Sequence, residues 1–431
     1  MNANPVSTGQ WPSLSFDERD RRWRLVQQLI ETQGLDTLLV YGERDTVGQP
    51  LYAPDTWLTN DRPGNIVLVP RGEDPYMLVQ LHIAVGQHME AMHRGDATWI
   101  PPERIYAGRK GENPGSGRGY RAIAAFLHDK RLDAGRIGVV GLEPTGASFP
   151  DGVMPYGTFA GLQQDCPKAR FVAVGDEWHR LVFARGDEEL MLLRRAAEAG
   201  EAMCAAIIDT TRVGVGEHEI YGAAMQASFM AGGTSHWLVI VVARDGQSVA
   251  WGPPAWTYRG QPPDVVRDGD VVMAELFPTY GMLESQQQLT VAVGDVNRDV
   301  LRAGEIAQAS YEAGLRALGP GVSFGELNDA MGEPVRAAGG WVLTPLVHSL
   351  NPHLMVGGCG ISPGLDDAHA YPTTGGFTTR GAHVRLQSGF SLALQANCAL
   401  GRRRVNIGGT VVLTEHGAQE LNNLPNRLQR V

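Results

Sequence analysis

Residues 269–294, GDVVMAELFPTYGMLESQQQLTVAVG, decide the fold prediction for this chain of 431 residues. The stretch opens with a Gly-Asp turn, continues through the apolar run 271–274 and reaches the acidic Glu275. A turn with Pro and Gly separates this run from a second apolar run, residues 289–293. Two apolar runs on either side of such a turn predict a hairpin in a core sheet.

A polar block, residues 284–288 with the sequence ESQQQ, lies where a core strand would normally be apolar. Buried polar side chains cost free energy unless they are paired. This block therefore either faces solvent or lines a functional site.

The length of the chain allows two domains with sizeable cores. Its 43% hydrophobic and 19% charged residues are ordinary for a globular protein. The net charge of −10 argues against a nucleic-acid partner. No apolar run approaches the roughly 20 residues that span a bilayer, and the N-terminus lacks the pattern of a signal peptide. We therefore expect a cytoplasmic enzyme with no nucleic-acid or membrane partner.

The four cysteines are scattered along the chain, which favours buried free thiols over a disulfide framework or a zinc ribbon. They are Cys166, Cys204, Cys359 and Cys398. A count of 54 glycines suits many tight turns between strands. The glycine-rich segment 108–119 predicts a surface loop, with phosphate binding or a reach across a dimer interface as alternatives.

A helix-capping pattern and several short apolar runs predict an N-terminal α/β domain. Ser15 and Glu18 fit a capping box for a helix that continues to about residue 33. Apolar runs at 38–41, 57–59, 66–69 and 76–79 predict strands. Residues 180–190 predict a strand that passes into a helix at Asp187, near a domain boundary. Further along, Ser323 is a plausible N-cap with Glu326 three residues later.

Taken together, these segments resemble the pita-bread family, which includes Xaa-Pro aminopeptidases, prolidases, methionine aminopeptidases and the metal-free creatinases. The hairpin at 269–294, the segment PGVSFGELNDAM at 320–331 and the ending TEHGAQELN at 414–422 carry the resemblance. It implies a mixed α/β (α+β) chain. A creatinase/prolidase-like domain would occupy residues 1–178 and a pita-bread catalytic domain residues 179–431. It also implies a homodimer.

The metalloenzymes of this family use two Asp, one His and two Glu to hold two divalent ions that share a hydroxide. The resemblance carries these five positions over to Glu275, Gln286, His348, Gln395 and Gly408. At most two charged or imidazole ligands remain, which removes most of the negative charge that attracts two cations. We therefore expect no metal and no other cofactor.

A single metal ion is the alternative at this point, and its ligands would be Glu275, Glu284, His348 and His353.

The pair Phe277-Pro278 resembles creatinase, the metal-free precedent in the family. The position of the creatinase histidine falls nearest Trp256, and its two cation-binding carboxylates fall on Gln288 and Gln395. Neutral amides cannot compensate a guanidinium charge in a dry pocket. Creatine is therefore an unsuitable substrate, and a neutral or anionic polar group suits these amides better.

The triplet 402–404 is all arginine, and Arg404 could bind a substrate carboxylate. A solvated turn is the alternative for this triplet.

Histidine is the side chain best suited to acid/base work at neutral pH. The resemblance assigns this role to His348 and His353, and His236 is a third candidate at the start of a strand. Glu275 and Glu284 would assist the histidine.

We therefore predict a metal-independent, creatinase-like hydrolase that acts on a C–N bond of a small polar molecule. A lyase step would use the same groups. The residues expected to bind substrate are Gln286, Gln288, Gln395, Trp256 and Arg404. Two other functions stay open: a metal-dependent, Xaa-Pro peptidase-like hydrolase with an altered ligand set, and a catalytically inactive binding module.

Overall fold

A computed structural model describes residues 11–43, 53–79, 82–107, 119–143, 152–350, 365, 370–371 and 381–431. His353, Cys359 and most of the glycine-rich segment 108–119 lie outside these ranges. The chain forms two compact units. One contains the described residues from Ser13 to Glu188, and the other contains those from Glu189 onward together with residues 11–12. The domain boundary between residues 178 and 179 stays a prediction.

The first unit contains one mixed six-stranded sheet. Its strands are β1 (Thr37–Tyr41), β2 (Ile66–Pro70), β3 (Tyr76–Leu78), β4 (Ile105–Tyr106), β5 (Arg136–Val140) and β6 (Arg170–Ala173). They lie in the order β4-β3-β2-β1-β5-β6, with β1 parallel to β5 and antiparallel to β2. The helices are α1 (Phe16–Thr32), α2 (Pro54–Thr59), α3 (His82–Arg94), α4 (Tyr120–Asp129), α5 (Tyr156–Asp165) and α6 (Gly175–Phe183).

Ser15 caps α1 as predicted, because its hydroxyl accepts a hydrogen bond from the backbone N–H of Glu18 at 3.2 Å. The reciprocal half of the capping box is absent. The backbone N–H of Ser15 donates to Glu188 instead, at 2.7 Å. The carboxylate of Glu18 accepts from Arg21 and Arg22, so it is not available to the cap.

Two strand predictions in this unit are wrong. Residues 57–59 end helix α2, which begins at Pro54, a residue whose fixed φ suits the first helical turn. The segment after residue 180 belongs to helix α6, whose Trp178 and Val182 are buried one turn apart. Both apolar runs were too short for periodicity to separate a strand from a buried helix.

The second unit contains a larger sheet of eight strands. The strands are β7 (Leu238–Ala243), β8 (Val271–Leu276), β11 (Gln287–Ala292), β12 (Val347–Ser349), β13 (Ser391–Leu400), β14 (Arg403–Thr414), β15 (Gly417–Glu420) and β16 (Gln429–Arg430). Six of them follow the order β12-β13-β14-β11-β8-β7, while β15 pairs with β14 and β16 with β11. Strands β9 (Thr279–Tyr280) and β10 (Leu283–Glu284) form a separate small hairpin.

Four helices accompany this sheet: α7 (Asp187–Thr210), α8 (Glu217–Met230), α9 (Arg298–Ala317) and α10 (Phe324–Ala337). Ser323 caps α10 in a complete capping box. Its hydroxyl accepts from the N–H of Glu326 at 3.2 Å, and the Glu326 carboxylate accepts from the N–H of Ser323 at 2.8 Å. This cap confirms the prediction from sequence.

The predicted hairpin is confirmed as the antiparallel pair β8–β11. Successive side chains of a strand point to opposite faces of the sheet. On one face, Ala274, Leu276 and Leu289 join an apolar core with residues of α7 and α8. The opposite face carries Glu275 and Gln288. The whole block 284–288 is buried and does not meet solvent. Gln288 lies on this second face, whereas Gln287 pairs with Leu276 and donates a hydrogen bond to Glu201 of α7 on the first.

No helix in the described part of the chain is long and apolar enough to cross a membrane.

Gly408 on β14 has a φ of +154°, and a Cβ atom there would lie 1.9 Å from the carbonyl oxygen of Leu394. A backbone oxygen in a sheet cannot move aside. We therefore expect Gly408→Ala to lower the free energy of unfolding by on the order of 3 kcal/mol or more. Urea denaturation measures this loss.

Gly401→Ala is the matched control, because Gly401 also has a positive φ, +60°, but has nothing within 4 Å of its Cβ position. It should lose only about 1–2 kcal/mol through backbone strain. Equal losses for the two variants would refute the crowding at Gly408.

Candidate active site

Four residues on neighbouring strands form one row across the polar face of the second unit's sheet. Glu275 pairs with Gln288, Gln288 with Gly408, and Gly408 with Gln395. Directly opposed residues place their side chains on the same face. Glu275, Gln288 and Gln395 are therefore neighbours, and all three are buried. This set of four is called the central row below.

Glu275 holds the only carboxylate of the central row. Its Oε1 accepts a hydrogen bond from Gln288 Nε2 at 3.2 Å, and its Oε2 accepts from the indole Nε1 of Trp251 at 3.0 Å. Burial raises the pKa of Glu275 to about 7, and the nearby charge of Glu284 adds to the rise, against the two hydrogen bonds and the attraction of Arg404. Both protonation states are therefore populated at neutral pH.

Glu284 and Gln286 lie just before β11, and both are buried. Gln286 donates through Nε2 to Glu284 Oε1 at 2.6 Å and through its backbone N–H to Thr410 Oγ1 at 2.8 Å. The Oε1 of Gln286 has no hydrogen-bond partner among the described residues. The second predicted carboxylate is thus bound to an amide two residues away.

His348 on β12 is buried, and both of its ring nitrogens have neighbours. Nδ1 lies 2.8 Å from the carbonyl oxygen of Ser349, and Nε2 lies 3.1 Å from the amide oxygen of Gln395. A carbonyl only accepts, so Nδ1 carries the hydrogen. Burial lowers the pKa of His348, which favours the neutral ring and an accepting Nε2. An accepting Nε2 requires a donor, so the side-chain amide of Gln395 must be rotated by about 180° to place its NH₂ group, instead of its oxygen, next to Nε2.

Arg404 is fully buried on β14, two positions before Asn406 and four before Gly408. Its Nη2 donates to the carbonyl oxygen of Ala250 at 2.9 Å, and its guanidinium lies over the ring of Trp251, 4.5 Å from the centroid. Burial lowers the pKa of Arg404 to about 10, which leaves it charged at neutral pH. Its Nε and Nη1 have no hydrogen-bond partner in the described part of the chain.

Two predicted site residues lie apart from these contacts. The ring of Trp256 packs edge-on against Tyr221 and His218, with centroids 5.8 and 6.4 Å apart. His236 is partly buried, which lowers its pKa, and makes no hydrogen bond to another described residue. His353 lies outside the described residues.

Two residues that sequence reasoning missed contribute to the site instead. Trp251 contacts both Glu275 and Arg404, although nothing in its proline-rich surroundings marks it. Asn406 is fully buried, and its side-chain oxygen and nitrogen both lack partners among the described residues. The alternation of Arg404, Asn406 and Gly408 along one strand was the signal that could have found it.

Trp251 also lines a cavity of about 260 Å³ on the β7 side of the sheet. Glu217 and Tyr258 line the same cavity. Val242 donates its backbone N–H to Glu217 at 3.3 Å, and burial raises the pKa of Glu217 to about 7. The indole ring therefore lies between this cavity and the central row.

The described residues do not fit a two-metal centre. Among the five carried-over positions, only Glu275 and His348 retain side chains that bind cations well. Gly408 offers no ligand atom, and the space beside it is filled by Leu394 O and Gln288 Oε1. No cluster of three or more His, Cys, Asp or Glu that could hold a metal occurs in the described ranges. The buried positive charge of Arg404 further opposes cation binding.

The sheet and the helices of the second unit form a domain of the pita-bread type. The chain belongs to metallopeptidase family M24, whose family model matches residues 191–415. The resemblance and the fold class stated from sequence are thereby confirmed.

Similar proteins agree with this assignment. A probable dipeptidase PepE of Mycobacterium tuberculosis is 25% identical over 259 residues, which are 60% of this chain and 63% of the relative. The match thus spans less than two thirds of the length of that curated relative.

Solved structures of other proteins share the fold of this chain. A dipeptidase from Pyrococcus horikoshii OT3 has a TM-score of 0.69 at 16% identity, covering 95% of this chain and 100% of that chain. An X-Pro aminopeptidase from Thermotoga maritima MSB8 has a TM-score of 0.68 at 16% identity, covering 96% and 99%. At these identities the likeness shows the fold alone.

The raised pKa of Glu275 predicts a pH-dependent cost to stability. Between the ordinary value of 4.5 and about 7, the folded protein keeps this proton while the unfolded chain releases it, so rising pH favours unfolding. Each pKa unit corresponds to about 1.4 kcal/mol, so the loss from pH 4.5 to pH 8 is at most about 3 kcal/mol.

Glu275→Gln removes this titration and keeps the shape of the side chain. We expect the stability of the variant relative to the unchanged protein to grow as the pH rises from 5 to 8. Chemical denaturation at several pH values measures the difference, in which the similar titration of Glu217 cancels. A difference that stays constant with pH would contradict the assigned pKa.

Proposed function

We propose that this protein hydrolyses an amide-type C–N bond in a small, polar, peptide-like molecule, with Glu275 as general base. The observation that carries the proposal is the central row, in which one carboxylate with a pKa near neutrality lies in line with the amides of Gln288 and Gln395, the second of which occupies a position carried over from a metal ligand. Family membership supports hydrolysis over an elimination step.

In the proposed reaction, Glu275 takes a proton from water as the water oxygen adds to the substrate carbonyl carbon. The same carboxyl then gives the proton to the leaving nitrogen as the C–N bond breaks. A pKa near 7 suits both steps, because general acid–base catalysis is most efficient when the group titrates near the working pH. Gln288 and Trp251 orient the carboxylate through their hydrogen bonds.

His348 acts in this proposal as a positioning residue for Gln395. Both ring nitrogens are already in hydrogen bonds, so direct proton transfer through His348 would first require Gln395 to move. Gln395 and Gln288 each retain one amide atom without a partner among the described residues, and these atoms are available to a polar substrate.

A metal-dependent peptidase with an altered ligand set is the second candidate function. Membership in a metallopeptidase family favours it, as do relatives named as dipeptidases. Glu275, Glu284 and His348 would be the ligands available to a metal within the described ranges. The donor set described above favours the first candidate.

The two candidates differ in metal content and in the effect of a chelator. We expect protein purified without chelator or affinity metal to contain far less than one divalent ion per chain by mass spectrometry. Turnover of a panel of dipeptides and N-acylated amino acids should persist in EDTA. Glu275→Gln should reduce kcat by about 100-fold or more.

Glu73→Gln serves as a control for this experiment, since Glu73 lies in the first unit and its carboxylate pairs with Lys130 at 3.6 Å. Activity that appears only with added Mn²⁺ or Zn²⁺, together with stoichiometric metal, would support the second candidate and refute the first. Absence of turnover in every condition would refute both and favour the inactive binding module.

A further inference from the structure

The guanidinium of Arg404 is a buried positive charge that has no ion-pair partner among the described residues. In the part of the chain that the structure describes, its one hydrogen bond goes from Nη2 to the carbonyl oxygen of Ala250, at 2.9 Å. Neighbouring arginines differ in this respect: Arg403, one position earlier, forms an ion pair with Asp245. Buried charges are normally paired and hydrogen-bonded, because desolvation otherwise destabilises the fold.

The free N–H groups of Arg404 fit a two-oxygen anion. Nε and Nη1 both lack a hydrogen-bond partner among the described residues, and Nη2 lies between them on the guanidinium. Nη2 carries two hydrogens: one is parallel to Nε–H and the other is parallel to a hydrogen of Nη1. Only one of the two donates to Ala250. One parallel pair of donors is therefore free, and such a pair matches the two oxygens of a carboxylate.

The surroundings of Arg404 hold further unpartnered polar atoms. Asn406 has both side-chain polar atoms free, and Gln288 and Gln395 each have one, within the described part of the chain. All of these residues are on the polar face of one sheet and are nearly or fully buried. Orphaned buried polar atoms in such number are uncommon in native proteins, and a bound ligand or ordered water explains them.

Glu275 does not serve as the permanent partner of Arg404. The two residues share Trp251, which donates its N–H to Glu275 and presents its ring face to Arg404. The indole thus sets the two side chains beside one another without an ion pair. An anionic group placed near Arg404 would leave the rest of the ligand close to Glu275.

We infer that Arg404, together with Asn406, binds the carboxylate of a small ligand on the sheet face where metal-binding members of the family hold cations. The inverted charge of the site is the reason why the residues do not fit a two-metal centre. The inference assigns the proposed hydrolase a substrate that carries a carboxylate, and in this respect it rests on the proposed function. Binding of the carboxylate itself can be measured without turnover.

Calorimetric titration of the full chain with two matched probes tests the inference. N-acetylglycine carries a carboxylate and an amide, whereas N-acetylglycinamide has the same shape without the charge. We expect the unchanged protein to bind N-acetylglycine at least tenfold more tightly. Arg404→Met should abolish that preference, and Arg316→Met, at an exposed arginine on α9, should leave it intact.

Thermal unfolding separates ligand binding from a structural role of Arg404. If the guanidinium serves a ligand, Arg404→Met without ligand should unfold at the same or a higher temperature, because an uncompensated buried charge has been removed. If Arg404→Met unfolds at a much lower temperature or does not fold, Arg404→Lys becomes the test, because lysine keeps the positive charge but lacks the paired N–H donors of the guanidinium. It should weaken binding of N-acetylglycine at least fivefold, and unchanged binding by Arg404→Lys would overturn the inference.

Three other results would overturn the inference: equal binding of the two probes, binding of neither probe, or a preference that survives in Arg404→Met. Binding of inorganic phosphate in place of both probes would overturn the assignment of a carboxylate. Failure of the proposed hydrolysis is distinguishable from failure of this inference. Carboxylate binding without turnover would refute only the proposed function. Turnover that is unaffected by Arg404→Met would refute only the inference.

Discussion

The register between β8 and β11 is the constraint on which the site of this protein depends. It sets Glu275 directly opposite Gln288, and the pairing of β11 with β14 then continues the row to Gly408. A slip of one residue would turn Glu275 into the apolar core against α7 and α8 and would expose Ala274 or Leu276 on the polar face. Val272, Ala274 and Leu276 pack in the apolar core, so the register that buries them also fixes the position of Glu275.

A second consequence follows from burial at this register. Most of the polar side chains on this face are neutral amides, such as Gln288 and Gln395. The charged groups among them, Glu275 and Arg404, have pKa values that burial shifts. Glu275 titrates near 7 because it is buried, and Arg404 stays charged although burial lowers its pKa. Trp251 separates them and contacts both. This face is arranged around the positive charge of Arg404 and the weakly acidic carboxyl group of Glu275. The resemblance to the metalloenzymes of the family would place two metal ions there instead.

Sequence reasoning succeeded where local chemistry dominates. The Ser323 cap and the β8–β11 hairpin follow from turn, cap and periodicity signals that act over a few residues. It failed at residues 57–59 and near residue 180, where short apolar runs suit a strand or a buried helix equally well. Packing decided those cases. Trp57, for instance, meets Trp178 edge-on at 5.3 Å between two helices.

The sequence by itself determined the fold family and the position of the polar block, because each is a matter of residue type at a set spacing. The burial of that block came from the tertiary structure. Tertiary structure alone decided which side chains meet. Trp251 reaches Glu275 through a loop that no local rule specifies, and the closeness of Leu394 O to Gly408 depends on strand pairing. The pKa values of Glu275 and Arg404 depend on desolvation, a property of the packed interior that no stretch of sequence carries.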